Sequence, residues 1–193
     1  MRFNWDIRSN SRMPLETPVC RRCESVKSEA FRYLLEQLNP TVWYTWWVII
    51  LPMKTDDLIL AAMTPGGGHR YTPVQIQKLL FLIERQIPDQ VGGPHFHFEP
   101  YHYGPFDRGV YHQLDLLAAR SLVTIDQSFS PRTFALTADG TACGSAALGT
   151  LPASTRDFIV RTSSFVRTQT FSSLVSAIYK AFPDMRENSV FQI

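Results

Sequence analysis

A chain of 193 residues with 45% hydrophobic and 12% aromatic content is long and apolar enough to bury one core, which excludes a disordered polymer. Three cysteines, an odd number, make no disulfide framework and fit a reducing cytoplasm. The formal charge of +2 sits in residues 1–52, which hold seven Lys/Arg and five Asp/Glu. Residues 53–193 hold twelve of each, without the basic surplus a dedicated DNA-binding domain needs.

Residues 1–52 form an atypical N-terminal extension. Ser25–Leu38 has the spacing of a modest helix, and Cys20-Arg-Arg-Cys23 has metal or redox spacing but lacks two further zinc ligands nearby. All four tryptophans fall here, three of them in the apolar run Val42–Leu51. Ten apolar residues are too few to span a bilayer, which takes about 20. The run is read as a membrane-surface or partner-docking segment, as an added strand or helix, or as part of an over-extended reading frame whose native start is Met53.

From Met53 the pattern is that of a mainly α protein with a small β-hairpin: a winged-helix-like core over 53–148 and a C-terminal helical pair with its tail over 149–193. Met53–Met63 predicts a first helix with Thr55 as cap and Asp56 and Asp57 at its positive end. Pro65-Gly-Gly-Gly68 ends it and lacks the Lys-Ser/Thr of a phosphate loop. Thr72-Pro73 with Gln75 starts a second helix, running to about Ile87. Its inner stripe is Ile76, Leu79, Leu80, Ile83 and Ile87, and Gln77, Lys78, Glu84 and Arg85 are assigned to its solvent side.

His95–Glu99 alternates as a short strand, with His95, His97 and Glu99 on one face and His102 close by, a conceivable metal set. Tyr101-His-Tyr-Gly-Pro-Phe106 is a shaped aromatic turn. Asp107 caps a helix to about Arg120, with Val110, Leu114, Leu117 and Ala118 inward. In a winged helix this is the presenting helix. Leu122–Ile125 and Arg132–Leu136 predict the hairpin, and Thr137 opens a helix weakened by Gly140 and Gly144. Pro152–Val166 and the Thr170-capped helix ending at Pro183 close the chain; they either complete the fold or form a homodimer contact.

The stretch Gln75-Ile-Gln-Lys-Leu-Leu-Phe-Leu82, with Tyr103-Gly-Pro-Phe106 and Val110-Tyr111, resembles the "LQKLLY … YGP … VY" pattern of SocA-like (Panacea) antitoxin domains. It is also similar to a YwgA-related bacterial family with "YHYYGP" turns and an "IYxxYPxxxxNSVF" tail; here the tail is Ile178-Tyr-Lys-Ala-Phe-Pro183 with Asn188-Ser-Val-Phe191. The likeness spans roughly residues 53–191. Phe106 replaces the usual Val or Ile after Gly-Pro, and Ser121 stands where a Gly commonly precedes the hairpin. The resemblance implies a mostly helical bacterial protein that binds another protein, such as a toxin.

The sequence reading is therefore a non-enzymatic, cytoplasmic protein-recognition module, antitoxin-like or the regulatory partner of a neighbouring protein. It has no catalytic residues, no cofactor and no membrane span. Candidate partner contacts are Tyr101, Tyr103, Phe106, Arg108, Tyr111 and His112, since interfaces favour aromatics and Arg. For the last three aromatics of that set, Tyr103, Phe106 and Tyr111, the competing reading is plain core filling. Two alternatives stay open. One is a DNA-binding winged-helix regulator with Lys78, Arg108, Arg120 and Arg132 on phosphates. The other is a metal-dependent enzyme using His95, His97, Glu99 and His102.

Overall fold

The computed structural model describes residues 53–128 and 130–191. The Cys20–Cys23 pair, the Ser25–Leu38 helix and the Val42–Leu51 run lie outside the described residues. Among the described residues the architecture is mainly helical with two small antiparallel two-stranded sheets. No helix there is long and apolar enough to cross a membrane.

The first helix, α1 (Thr55–Met63), has Asp56 and Asp57 in its first turn, where the helix dipole favours them. Lys54 rather than Thr55 is its N-cap. Thr55 instead sits in the first turn, with its hydroxyl 3.2 Å from His95 Nδ1. A short 3₁₀ turn (Thr64–Gly66) and Gly67 and Gly68, both at positive φ, reverse the chain. Tyr71 then forms a two-way backbone bridge with Phe134, its N–H donating to the Phe134 carbonyl at 2.7 Å and the return bond measuring 2.9 Å.

Helix α2 (Pro73–Gln86) starts with the expected capping box: the Gln75 amide donates to Thr72 Oγ1, and Gln75 Oε1 accepts from the Thr72 amide. A four-residue helix α3 (Pro88–Val91) follows. A first hairpin pairs β1 (Glu99–Tyr101) with β2 (Gly104–Phe106), Tyr101 opposite Gly104. The presenting helix α4 (Arg108–Ala119) is capped by Asp107, whose Oδ1 accepts from the Gly109 amide at 2.6 Å. The second hairpin pairs β3 (Val123–Asp126) with β4 (Thr133–Leu136), Ile125 opposite Phe134. Tyr71 adds a third short rung to this sheet, completing a helix–bridge–helix–helix–hairpin order interrupted only by α3 and the first hairpin.

Helix α5 (Ala138–Thr150), capped by Thr137, lies across α1. Its glycines are not weak points. A Cβ on Gly140 would stand 1.9 Å from the Leu122 carbonyl oxygen, and one on Gly144 would stand 2.5 Å from that of Leu60. They are where two backbones touch.

Helices α6 (Ala153–Thr168) and α7 (Phe171–Ala181) both pack on α2, so the C-terminal pair completes the fold. Ile159, Val166, Leu174, Val175 and Ile178 are buried within the chain. The inner face of α6 is partly polar: Thr155, Thr162 and Ser163 are buried, with Ser163 Oγ 2.8 Å from the Tyr71 hydroxyl. Phe165, on the same helix, is exposed. Helix α2 thus meets both C-terminal helices on one side and the first hairpin on another.

Candidate interaction surface

The expected solvent side of α2 is the largest departure from the sequence reading. Arg85 is exposed, but Gln77, Lys78 and Glu84 are buried, Lys78 to 3% exposure. Each of the three holds part of the segment 93–107. The Gln77 side-chain amide bonds the Asp107 backbone both ways, donating to its carbonyl at 2.8 Å and accepting from its N–H at 3.1 Å. Lys78 Nζ donates to the Pro105 carbonyl at 3.0 Å. The Glu84 carboxylate accepts from the His95 and Phe96 amides. Asp107 Oδ2 adds a bond from the His97 amide at 2.6 Å.

Burial in this apolar setting drives the Lys78 amine down to about 7, with desolvation the cause. Burial likewise raises the Glu84 carboxyl, and the two amides it accepts from, together with His95, oppose that shift. Polar residues of α2 therefore brace the hairpin directly through Lys78 and its two flanks through Glu84 and Gln77, donating to and accepting from backbone groups. Gly104, at φ +90°, lies over Tyr179 and the Lys78 stem, and a Cβ there would meet Tyr179 at 3.3 Å.

On this base stands a row of rings. Phe191 and Phe171 meet edge to face with centroids 5.8 Å apart, and Phe171 meets Tyr103 at 5.2 Å. Across the turn His102 stacks on Tyr101 at 4.2 Å, Tyr101 on Phe106 at 5.0 Å, and Phe106 meets Tyr111 at 5.7 Å. Tyr111 lies parallel to the buried Phe134 at 6.2 Å, under the Arg132 guanidinium. The outer members are open to solvent: Tyr101 at 48%, Tyr103 at 43%, Phe171 at 44%.

The structure thus brings together Tyr101, Tyr103, Phe106 and Tyr111 of the expected contact set. Tyr103 is exposed rather than core; Phe106 and Tyr111 are half-buried links. Arg108 and His112 lie exposed one turn apart on the outer face of α4, beside Tyr111. Phe171, His102 and Phe191 belong to the same surface. His102, between the two tyrosines, belongs to the expected metal set, and Phe171 and Phe191 are distant in the chain; for Phe191 the paired likeness of the Tyr-Gly-Pro turn and the Asn-Ser-Val-Phe tail is a signal, and for Phe171 there is none.

The phosphate-contact set does not assemble. Lys78 is inside, against the expectation of an outward lysine, because the first hairpin covers that side of α2. Arg120 pairs with Asp56, and Arg132 lies 3.5 Å from Asp115. At the tip of the second hairpin Arg70 pairs with Asp126. Helix α4 itself carries Arg108 and Asp115. A continuous cationic ridge is absent along α4 and the described part of that tip.

The proposed metal set is dispersed as well. Residues 95–98 are irregular rather than a strand, since Glu84 and Asp107 take their amides out of any ladder. The His95 ring is held by the Val91 carbonyl at 3.0 Å and by Thr55. His97 lies 3.7 Å from Glu99 in solvent, and His102 stacks on Tyr101. Among the described residues no group of three or more His, Cys, Asp or Glu is placed to hold a metal ion. A cleft of about 550 Å³ elsewhere is lined by His69, Arg70 and Arg167, and both arginines are engaged. Arg70 pairs with Asp126, and Arg167 reaches the Pro65 carbonyl and the Tyr71 ring.

No protein-family model matches the chain, and no curated protein matches it significantly.

Proposed function

We propose that this protein is a non-enzymatic recognition module, antitoxin-like or regulatory, that binds another polypeptide through the aromatic row centred on its first hairpin. One observation carries the reading: Tyr101 and Tyr103 stand exposed on the first hairpin, with Phe171 of α7 exposed beside them, in a segment that three buried polar side chains of α2 hold at His95, Pro105 and Asp107. Rigid aromatics of this kind give large contact area at low entropic cost. The neutral balance of residues 53–193 and the paired arginines beside α4 favour a protein partner over DNA. The resemblance to SocA-like domains points the same way and suggests a bacterial cytoplasmic setting with a toxin or regulated protein as partner.

The test is site-specific photocrosslinking in the native host. A benzophenone side chain at Tyr103 is expected to trap one protein, and the same probe at Val160, exposed on α6, is expected not to trap it. Equal trapping at both positions would refute the assignment. A mobility shift of duplex DNA by the purified protein at about 50 mM salt that vanishes at about 200 mM would transfer the function to nucleic acid.

A further inference from the structure

The cleft of about 550 Å³ between the glycine turn after α1 and the last turn of α6 is lined by Gly68, His69, Arg70, Gln75 and Arg167, without an Asp or Glu. Its two walls rest on one fixed ring. Tyr71 is buried, its hydroxyl lies 2.8 Å from Ser163 Oγ, and its backbone is bridged to Phe134. Gly66 seats the turn on that ring: a Cβ there would stand 2.7 Å from the Tyr71 hydroxyl oxygen. The Arg167 guanidinium lies over the same ring, 5.9 Å from its centre, and donates to the Pro65 carbonyl of the turn at 3.5 Å.

Neither of those partners carries a charge. No carboxylate pairs with Arg167 among the described residues, so this half-buried cation is held in position without being neutralised. Arg70 pairs with Asp126 at the surface, and an exposed pair of this kind holds weakly enough to be shared with a second anion. The turn supplies a backbone donor as well. The Gly67 and His69 N–H groups are spent on the Thr64 and Gly66 carbonyls, whereas the Gly68 N–H between them has no acceptor among the described residues. Gly67 and Gly68, both at positive φ, leave open space where a Cβ would stand. Two guanidiniums, an imidazole and a bare N–H around one cleft match the several oxygens of a phosphoryl group.

We infer that this cleft binds the terminal phosphate of a small phosphorylated molecule, with Arg167 as its principal partner and Arg70, His69 and the Gly68 N–H closing around it. The cation that a phosphate loop takes from its own lysine comes here from α6. The cleft has the volume of a small-molecule site, so it has room for the organic part as well. Two guanidiniums favour the dianionic end of a monoester over the single charge of a phosphodiester. The cleft shares no residue with the aromatic row, so the inference stands whether or not that row binds a protein.

The experiment titrates the full chain with inorganic phosphate, glycerol phosphate and dimethyl phosphate at matched ionic strength, followed by phosphorus NMR. Inorganic phosphate is expected to bind with a Kd of about 1 mM, glycerol phosphate at least as tightly, and dimethyl phosphate not measurably. Arg167→Gln is expected to weaken phosphate binding at least about tenfold. Arg85→Gln, at an exposed arginine of α2 outside the cleft, is expected to leave it unchanged. Asp126→Asn releases Arg70 and is expected to tighten binding about twofold to fivefold, a gain that loss of folding cannot mimic. No saturable binding up to about 20 mM phosphate, wild-type affinity in Arg167→Gln, or equal losses in Arg167→Gln and Arg85→Gln overturns the site. Should Arg167→Gln not melt cooperatively, Asp126→Asn decides: a gain supports the site and no gain overturns it. Equal affinity for dimethyl phosphate overturns the terminal phosphate and gives the cleft to a diester backbone.

Discussion

Replacing Lys78 by methionine removes one amine from beneath the first hairpin while keeping the unbranched stem. In the folded protein that amine titrates near 7 because it is desolvated, whereas an unfolded chain holds its lysine proton to about 10.4. The sign follows from proton counts. Between about pH 7 and 10 the unfolded state binds more protons at this position, so raising the pH stabilises the fold, and the gain is absent below the folded value. From pH 7 to pH 9 the linkage amounts to roughly 2 kcal/mol, somewhat below the full two pH units because about half the folded molecules are already neutral at pH 7.

Glu84, Asp57, Tyr71 and Tyr111 are also raised by burial, but they are common to both proteins and cancel in the comparison. The K78M thioether has no proton to lose and leaves the Pro105 carbonyl without its donor, a loss of about 1 kcal/mol at every pH. Urea unfolding at pH 7, 8 and 9 is the assay. Wild type is expected to gain roughly 2 kcal/mol on K78M across that range. Parallel stability curves for the two proteins would mean that the Lys78 amine is solvated, and the bracing of the hairpin from α2 would have to be abandoned.

Other expectations follow from the same geometry. Ser121, at φ +60°, closes α4 in a Schellman turn, with the Leu122 amide bonding the Leu117 carbonyl, and Gly is the residue that fits there. S121G should raise stability by about 0.5–1 kcal/mol in thermal melts; no gain would contradict the left-handed turn. Gly144→Ala drives a Cβ toward the Leu60 carbonyl and should cost at least about 2 kcal/mol, read as a lower urea midpoint, while Gly149→Ala, with open space around it, should not. The exposed pair Tyr101→Ser and Tyr103→Ser should leave the melting temperature within a few degrees of wild type, since surface changes usually stay within about 0.5 kcal/mol each.

The architecture was largely legible because its signals were local. The Thr72–Gln75 capping box, the Ile76-to-Ile87 stripe, the Asp107 cap and the alternation in both strands of the second hairpin each act within a few residues. What hid was long-range. A helix that is amphipathic in isolation offers no sign that its polar side will be roofed by a later insertion, so Lys78 reads as an outward cation. The same blindness made Gly140 and Gly144 look like defects, when each marks a backbone contact with a distant segment. His95–Glu99 alternated like a strand, yet Glu84 and Asp107, distant or adjacent, claimed its amides first.

Half of the candidate surface was likewise readable. Tyr101 and Tyr103 announced themselves as aromatics flanking a constrained Gly-Pro turn. Phe171 and Phe191 did not, because only the fold brings α7 and the tail against that turn.

Once crosslinking has supplied the partner, its affinity for wild type and for the Tyr101→Ser, Tyr103→Ser protein, measured by titration calorimetry at about 50 and 300 mM salt, bears most directly on the central claim. The account predicts a loss of at least about tenfold on removing the two rings and only a modest change with salt, as for a desolvated aromatic contact. Undiminished binding by the ring-less protein, or an affinity that collapses with salt and follows Arg108 and Arg132 instead, would contradict it.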